Sequence, residues 1–201
     1  DSLPMPDEQK NYRRYLSVKY SFPLAIVKHL DALYGREATE SILNFYNTEK
    51  YTDITVNTLK ITVNDYIKQL SEVGITADKN ELSANSVRIP ASVNPERLTG
   101  FDRGYFFVQD RASAICSEVL SAKENELIID VCSAPGGKSL ASAVLSADKA
   151  DIRSFDLHES KLSLIEESAN RLGLTSVTVS QRDATSPDSD LIGKADKVIC
   201  D

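Results

Sequence analysis

The feature that most constrains this chain is a period in its second half: a short apolar run, a turn, an apolar-striped helix, then the next apolar run. Glu126-Leu127-Ile128-Ile129-Asp130-Val131 is nearly continuous in apolar side chains, as a parallel strand covered on both faces has to be. A glycine-bearing turn follows, and then Ala141, Val144 and Leu145 mark one face of a helix. Residues 152–156 read as a second strand ending in Asp156. Leu162, Ile165, Ala169 and Leu172 stripe the next helix up to Gly173. Residues 176–180 and 197–200 complete the pattern as third and fourth strands. Strands alternating with helices predict an α/β fold on a doubly wound parallel sheet.

The first half has a different rhythm. Residues 23–34 carry apolar side chains at helical spacing and stop at Gly35, and a second helix is expected over 37–45. Residues 53–57 alternate as a strand does. Thr62 opens a helix whose apolar face is Val63, Tyr66, Ile67, Leu70 and Val73, closed by Gly74, and residues 86–90 read as another short strand. From Gly104 a strand over 105–108 and a helix striped by Ala112, Ile115, Cys116, Val119 and Leu120 are expected to open the parallel domain. The expected organisation is therefore a helical linker over 1–47, a small α+β subdomain over 48–100, and the strand-helix domain over 101–201.

Composition narrows the function. Hydrophobic residues at 41% and charged residues at 26% are ordinary globular usage, and no apolar run approaches the roughly 20 residues needed to cross a bilayer. The start, Asp1-Ser2-Leu3-Pro4, has no charged-then-apolar leader pattern, so no membrane partner and a cytoplasmic location are expected. Cys116, Cys132 and Cys200 form no CxxC pair, and His29 and His158 lie far apart, so neither a disulfide framework nor a metal is expected. The net charge of −7 opposes a polyanionic partner at first sight. Its distribution softens that: residues 1–100 carry 12 basic and 13 acidic side chains, residues 101–201 carry 11 and 17. An RNA surface would lean on the first half, where Lys10, Arg13, Arg14, Lys19 and Lys28 are densest, although the same residues read equally as a solvated helix face.

Ligands of open parallel sheets sit beyond the carboxyl ends of the strands, near the point where strand order reverses. Here those ends are acidic or glycine-bearing. The first leads into Cys132-Ser133-Ala134-Pro135-Gly136-Gly137-Lys138-Ser139, whose glycines let backbone amides approach a ligand at a helix N-terminus. Neither GxxxxGK[ST] nor GxGxxG spacing is present, which argues against nucleoside triphosphates and dinucleotides. Asp156 is positioned to accept from two ribose hydroxyls, and Asp183 from an adenine amino group. Asp201 ends the fourth strand. Taken singly each acid also reads as a loop aspartate or helix cap.

The run from Asp130 to Ser139 closely resembles the S-adenosylmethionine (AdoMet) motif of the Sun/Fmu-type RNA cytosine-5 methyltransferases. Phe107-Val108-Gln109-Asp110-Arg111-Ala112-Ser113 is similar to the family's Q-D-x-A-S segment, and Asn170-Arg171-Leu172-Gly173 to its N-x-x-R-L-G-type helix ending. The resemblance implies a Rossmann-like class I methyltransferase sheet, AdoMet as cofactor and RNA as partner, with small-subunit ribosomal RNA as substrate. It implies that Cys132, Ser133, Ala134, Pro135, Gly136, Gly137 and Lys138 hold the methionine end, Asp156 the ribose and Asp183 the adenine. Asp201 matches the acid that opens the family's D-x-P-C motif, in contact with the target cytosine and the cofactor's methyl end. In that family one cysteine thiolate adds to cytosine C6 and a second cysteine assists release after C5 is methylated. Both lie downstream of the position of Asp201, so the resemblance implies a sheet truncated after its fourth strand and a chain inactive alone. Cys132 is expected to line the pocket through its backbone, with Cys116 and Cys200 on apolar faces. One departure stands out: the family's first small-domain strand carries an Arg-x-Asn-like sequence, and Thr55-Val56-Asn57 lacks the arginine. A non-catalytic RNA-binding or regulatory chain, and a class I methyltransferase of another substrate, are the alternatives.

Overall fold

The computed structural model describes residues 5–48 and 51–201, which fall into two compact units divided just before Tyr51. Asp1-Ser2-Leu3-Pro4 lies outside the described residues. The first unit is a helix pair, α1 (Tyr12–Lys19) and α2 (Leu24–Thr48), closed over Leu16, Tyr20, Val27 and Leu43. Gly35, at φ 77°, leaves the helical conformation and divides α2 into two helical segments, as the two expected helices require. Three members of the basic stretch are paired locally: Lys10 with Asp7, Arg13 with Asp31 at 2.6 Å, and Lys19 with Glu40 at 2.8 Å.

The second unit holds two lobes. In the smaller, β1 (Tyr51–Val56), α3 (Val63–Glu72), β2 (Asp78–Lys79), β3 (Ser86–Pro90) and β4 (Phe106–Val108) form an antiparallel sheet of order β2-β3-β1-β4 with α3 on one face. The Thr62 hydroxyl caps α3 by accepting from the Asp65 amide at 3.1 Å, which frees the helix to bury Tyr66 and Leu70 against Ile54, Val56, Val87, Ile89 and Phe106. This sheet includes a strand that periodicity assigned to the parallel domain. β4 pairs antiparallel with β1, with Phe107 opposite Thr55, because its alternation sends Phe106 into the small core and Phe107 into the large one.

The larger lobe runs α4 (Arg111–Leu120), β5 (Leu127–Asp130), α5 (Gly137–Leu145), β6 (Asp151–Asp156), α6 (Leu162–Leu172), β7 (Val177–Gln181) and β8 (Lys197–Ile199). Its sheet is wholly parallel, in the order β7-β6-β5-β8. The chain steps outward from β5 through β6 to β7, then returns to β8 on the far side of β5. The strand order therefore reverses between β5 and β8. The fold is the expected Rossmann-like α/β class, although residues 182–196 cross back without a helix. The stripe expected on α4 is not the buried one. Cys116 is exposed and Val119 is 79% exposed, whereas Ala114 and Ser117 are buried facing α5. Small residues win that face because they let the two helices approach closely, and Cys116 consequently packs in no core. Cys200 is exposed as well.

The two lobes are fastened at the C-terminal end of α6. Buried Asn57 donates from Nδ2 to the Gly104 and Leu172 carbonyls at 3.0 Å each, and Lys60 Nζ reaches the Arg103 and Arg171 carbonyls. Arg171 returns the contact, donating to the Phe101 and Phe106 carbonyls at 2.8 and 3.0 Å with its guanidinium 4.0 Å from the Phe101 ring. Helix carbonyls otherwise left without partners are thus satisfied from the small lobe. Asn57→Ala should lower stability by about 1–3 kcal/mol, the cost of stranding buried acceptors. Urea unfolding measures it, and an unchanged midpoint would remove Asn57 from the fastening.

Candidate cofactor site

The turn after β5 is shaped by bonds to the neighbouring strand. Ser133 donates to the Phe155 carbonyl from both its amide, at 2.8 Å, and its hydroxyl, at 2.9 Å. The Ala134 amide donates to Asp156 Oδ2 at 3.2 Å, and the His158 amide to Oδ1 at 3.0 Å. These amides hold the Asp156 carboxyl below the ordinary carboxylate range, His158 contributing most, so it is ionised and aimed. Each oxygen keeps a lone pair for a further donor. Gly136, at φ 105°, makes the reversal into α5, and a Cβ there would sit 3.1 Å from Ile165.

Two cavities flank this turn. One of about 330 Å³ lies at the reversal between β5 and β8, walled by Asp130, Cys132, Ser133, Ala134, Pro135, Gly137, Lys138 and Asp201, with Gln109 and Asp110 completing it. Lys138 Nζ ion-pairs with Asp201 and reaches Ser113 Oγ at 3.4 Å. Asp130, only 2% exposed, accepts from Ser139 Oγ at 2.7 Å, which itself accepts from Ser154 Oγ at 2.8 Å. Burial pushes the Asp130 carboxyl up. The Cys132 thiol is also pushed up, first by desolvation and then by Cys200 and the carboxylates of Asp156, Asp130 and Asp201. A thiol held protonated in this way is a poor nucleophile.

The other cavity, of about 360 Å³, has an apolar floor of Ile129, Val131, Phe155 and Val198, with Asp183 and Arg182 at its edge. Arg182 lies over the Phe155 ring at 4.5 Å and ion-pairs with Asp188. The Asp183 carboxyl is held low by the Thr185 hydroxyl and amide. Of the residues expected from sequence, Cys132, Ser133, Ala134, Pro135, Gly137, Lys138 and Asp201 therefore share one cavity. Asp183 belongs to the other, Asp156 is bonded to the turn between them, and Gly136 faces Ile165 rather than either space. Phe155, Arg182, Gln109 and Asp130 were not expected as site residues. Two of them carried a signal: Asp130 as an acid closing an apolar strand, and Gln109 as part of the family-like Q-D-x-A-S segment.

Comparison with known proteins agrees with this architecture. The model described as "Methyltr_RsmF/B-like, ferredoxin-like domain" matches residues 22–95, and "16S rRNA methyltransferase RsmB/F" matches residues 117–201. The chain belongs to the Sun/Fmu-type methyltransferase family. Among its relatives, the probable ribosomal RNA small subunit methyltransferase B of Bacillus subtilis is 32% identical over 187 residues, covering 92% of this chain and 41% of that protein. Its counterpart in Synechocystis is 30% identical over 173 residues, covering 86% and 39%. The chain thus spans about two-fifths of the length of these curated family members. The crystal structure of PH0851 superposes with a TM-score of 0.86 at 30% identity, over 98% of this chain and 44% of that one. NSun6 from Pyrococcus horikoshii with SFG shares the fold, with a TM-score of 0.78 at 21% identity over 87% and 68%. The small lobe is the family's ferredoxin-like domain.

Two outcomes check the site geometry. Gly136→Ala imposes a positive φ on a residue with a Cβ and crowds Ile165, so it should cost about 1–2 kcal/mol in thermal or urea unfolding. A cost near zero would mean the turn adopts another conformation. Acid titration followed by NMR tests Asp156. Its lowered folded value means that it adds stability above its ordinary 3.8 and loses it as pH falls below that. The Ala134 and His158 amide resonances should accordingly move below 3.8, and movement centred above it would contradict the bonding described.

Proposed function

We propose that this chain is the AdoMet-binding and RNA-facing part of an RNA cytosine-5 methyltransferase acting on small-subunit ribosomal RNA in the cytoplasm. The observation that carries the reading is the glycine turn at the strand reversal, bonded to an ionised carboxylate at the end of the next strand. Family membership supports the substrate class.

The residues fit AdoMet by their donor sets. Acceptors predominate around a ligand with a sulfonium, an ammonium and two ribose hydroxyls: Asp130 and Asp201 line the first cavity and Asp156 stands at its margin. The second cavity offers an apolar floor with the Asp183 carboxylate at its rim, which suits a purine carrying an exocyclic amine. Bound there, AdoMet supplies an electrophilic methyl group. In this reading Asp156 accepts from the ribose hydroxyls while Ala134 and His158 keep it ionised. The residues from Cys132 to Lys138 enclose the methionine end, the α5 N-terminus favouring its carboxylate. Lys138 and Asp201, paired at the cavity mouth, present one donor and one acceptor to an incoming pyrimidine edge. Cys132 contributes its backbone and not a thiolate.

Domain roles follow. Residues 101–201 hold the cofactor, 48–100 meet RNA, and 1–47 form a helical linker. The lost arginine at Thr55 and the internally paired Lys10, Arg13 and Lys19 shift RNA contact toward other cations such as Arg97, Arg103 and Lys68, all exposed on the small lobe or its connection.

Calorimetric titration with AdoMet tests the reading. Wild-type chain should bind, and Asp156→Ala should weaken binding roughly ten- to hundredfold, the value of a charge-assisted hydrogen bond of about 1.5–3 kcal/mol. Equal affinity in both would remove Asp156 from the site. For the nucleobase, labelled AdoMet and small-subunit RNA incubated with the whole protein should yield 5-methylcytidine after digestion to nucleosides. Label in any other nucleoside would exclude cytosine C5.

A further inference from the structure

The first turn of α5 forms part of the cavity wall, yet it lacks the usual means of staying in place. Its N-cap is Gly136, which has no side chain to accept from the orphan amides, and none of its first-turn residues is acidic. Ser139 ties it to Asp130 and Ser154 of the parallel sheet, and one further contact comes from outside that sheet. Gln109, 4% exposed, donates from Nε2 to the Gly137 carbonyl at 3.0 Å and, more weakly, to Ser117 Oγ at 3.4 Å. A carbonyl can only accept, so the amide nitrogen has to face Gly137, and the amide oxygen is left pointing the other way. There it accepts from Thr55 Oγ1 at 2.7 Å, while the Gln109 backbone amide donates to the Asp53 carbonyl at 3.2 Å. Thr55 itself is buried near the C-terminal end of β1, opposite Ser86 of β3 and Phe107 of β4.

From this we infer that Gln109 is a positioning residue, which holds the glycine end of α5 in the geometry of the cofactor cavity and is itself held by Thr55. The inference deepens the AdoMet reading and rests on it for its ligand. The chain thereby uses the position of the missing arginine for a different purpose. Thr55 is two residues before Asn57, and the same strand that fastens α6 through Asn57 also fixes α5 through Thr55 and Gln109. Any displacement of β1, for example by a ligand lying on the small lobe, is then transmitted to Gly137 through two hydrogen bonds. Direct contact between Gln109 and the methyl donor is not part of the role.

The test uses three variants of the chain. Thr55→Val keeps the shape and removes only the hydroxyl that holds the amide oxygen. Gln109→Glu keeps that oxygen and replaces the donor facing Gly137 with a second acceptor. Thr55→Ser restores the hydroxyl. Amide hydrogen exchange at Leu140 and Ala141, which close the first turns of α5, should quicken about fivefold in the first two variants relative to Val144, the factor for a bond worth roughly 1 kcal/mol. Thr55→Ser should exchange like wild type, and AdoMet affinity should fall by a similar factor in Thr55→Val and Gln109→Glu only. Unchanged exchange at Leu140 and Ala141, or a uniform rise across the lobe, overturns the role and leaves Gln109 a packing residue. Localised loosening in a chain whose wild type takes up no AdoMet keeps the positioning role and refutes the cofactor reading instead.

Discussion

The bonds from the Ser133 and Ala134 amides to the end of β6 are the constraint on which the rest of the molecule depends. They exist because β5 and β6 are parallel and in register, with Asp130 opposite Ser154, so that the turn leaving β5 passes directly over Phe155 and Asp156. That placement has three consequences. Asp156 is kept ionised by two amides with lone pairs to spare. The chain must reverse within a few residues to enter α5, which demands the positive φ of Gly136. The first turn of α5 is then presented end-on to the cavity between β5 and β8. A one-residue shift in this register would take the Ala134 amide away from the carboxylate, leaving the amide without its partner and Asp156 with the His158 amide alone.

Neither lobe builds this site by itself. β4 is only three residues long, but Phe106 stacks on Tyr66 at 5.4 Å in the small core while Phe107 is buried in the large one. A strand with opposite faces in different cores cannot follow one lobe without disturbing the other. Asn57, Lys60 and Arg171 reinforce this by exchanging carbonyl partners across the seam. Dispersing polar contacts over both lobes costs desolvation, which is offset because almost every buried partner in the seam is satisfied. The cofactor turn is consequently mounted on a two-lobe frame, and Gln109, directly after β4, lies where that frame and the turn meet.

The parts legible in sequence were those encoded locally. The Leu127–Asp130 run could only be a covered strand, the two adjoining glycines could only be a turn, and Asp156 follows its strand by periodicity alone. What was not legible depends on partners far along the chain. Nothing in Phe106-Phe107-Val108 says whether the strand pairs with β1 or with a parallel neighbour. The α4 stripe misled because apolarity was weighed above size: Val119 is the more apolar residue, but Ala114 and Ser117 allow the closer helix approach. Asp183 was expected to meet an adenine amino group, and it lines a cavity separate from that of Cys132 to Lys138. Gly136 was expected as a ligand contact, and the structure adds that its positive φ makes the reversal into α5.

Charge distribution makes sense of the two ligands proposed. The excess of acid in residues 101–201 is not spread evenly: Asp110, Asp130, Asp156 and Asp201 gather at the carboxyl end of the parallel sheet. Such a cluster favours a cationic donor and would repel a phosphate backbone brought directly against it. Lys138 alters that balance locally, since its pairing with Asp201 neutralises the mouth. A neutral nucleobase can therefore enter where a phosphate cannot, and the strand carrying it has to be held from outside, by cations away from the cavity. For the ligands proposed above, this arrangement would favour a donor by its positive charge and would oppose a phosphate at the same face.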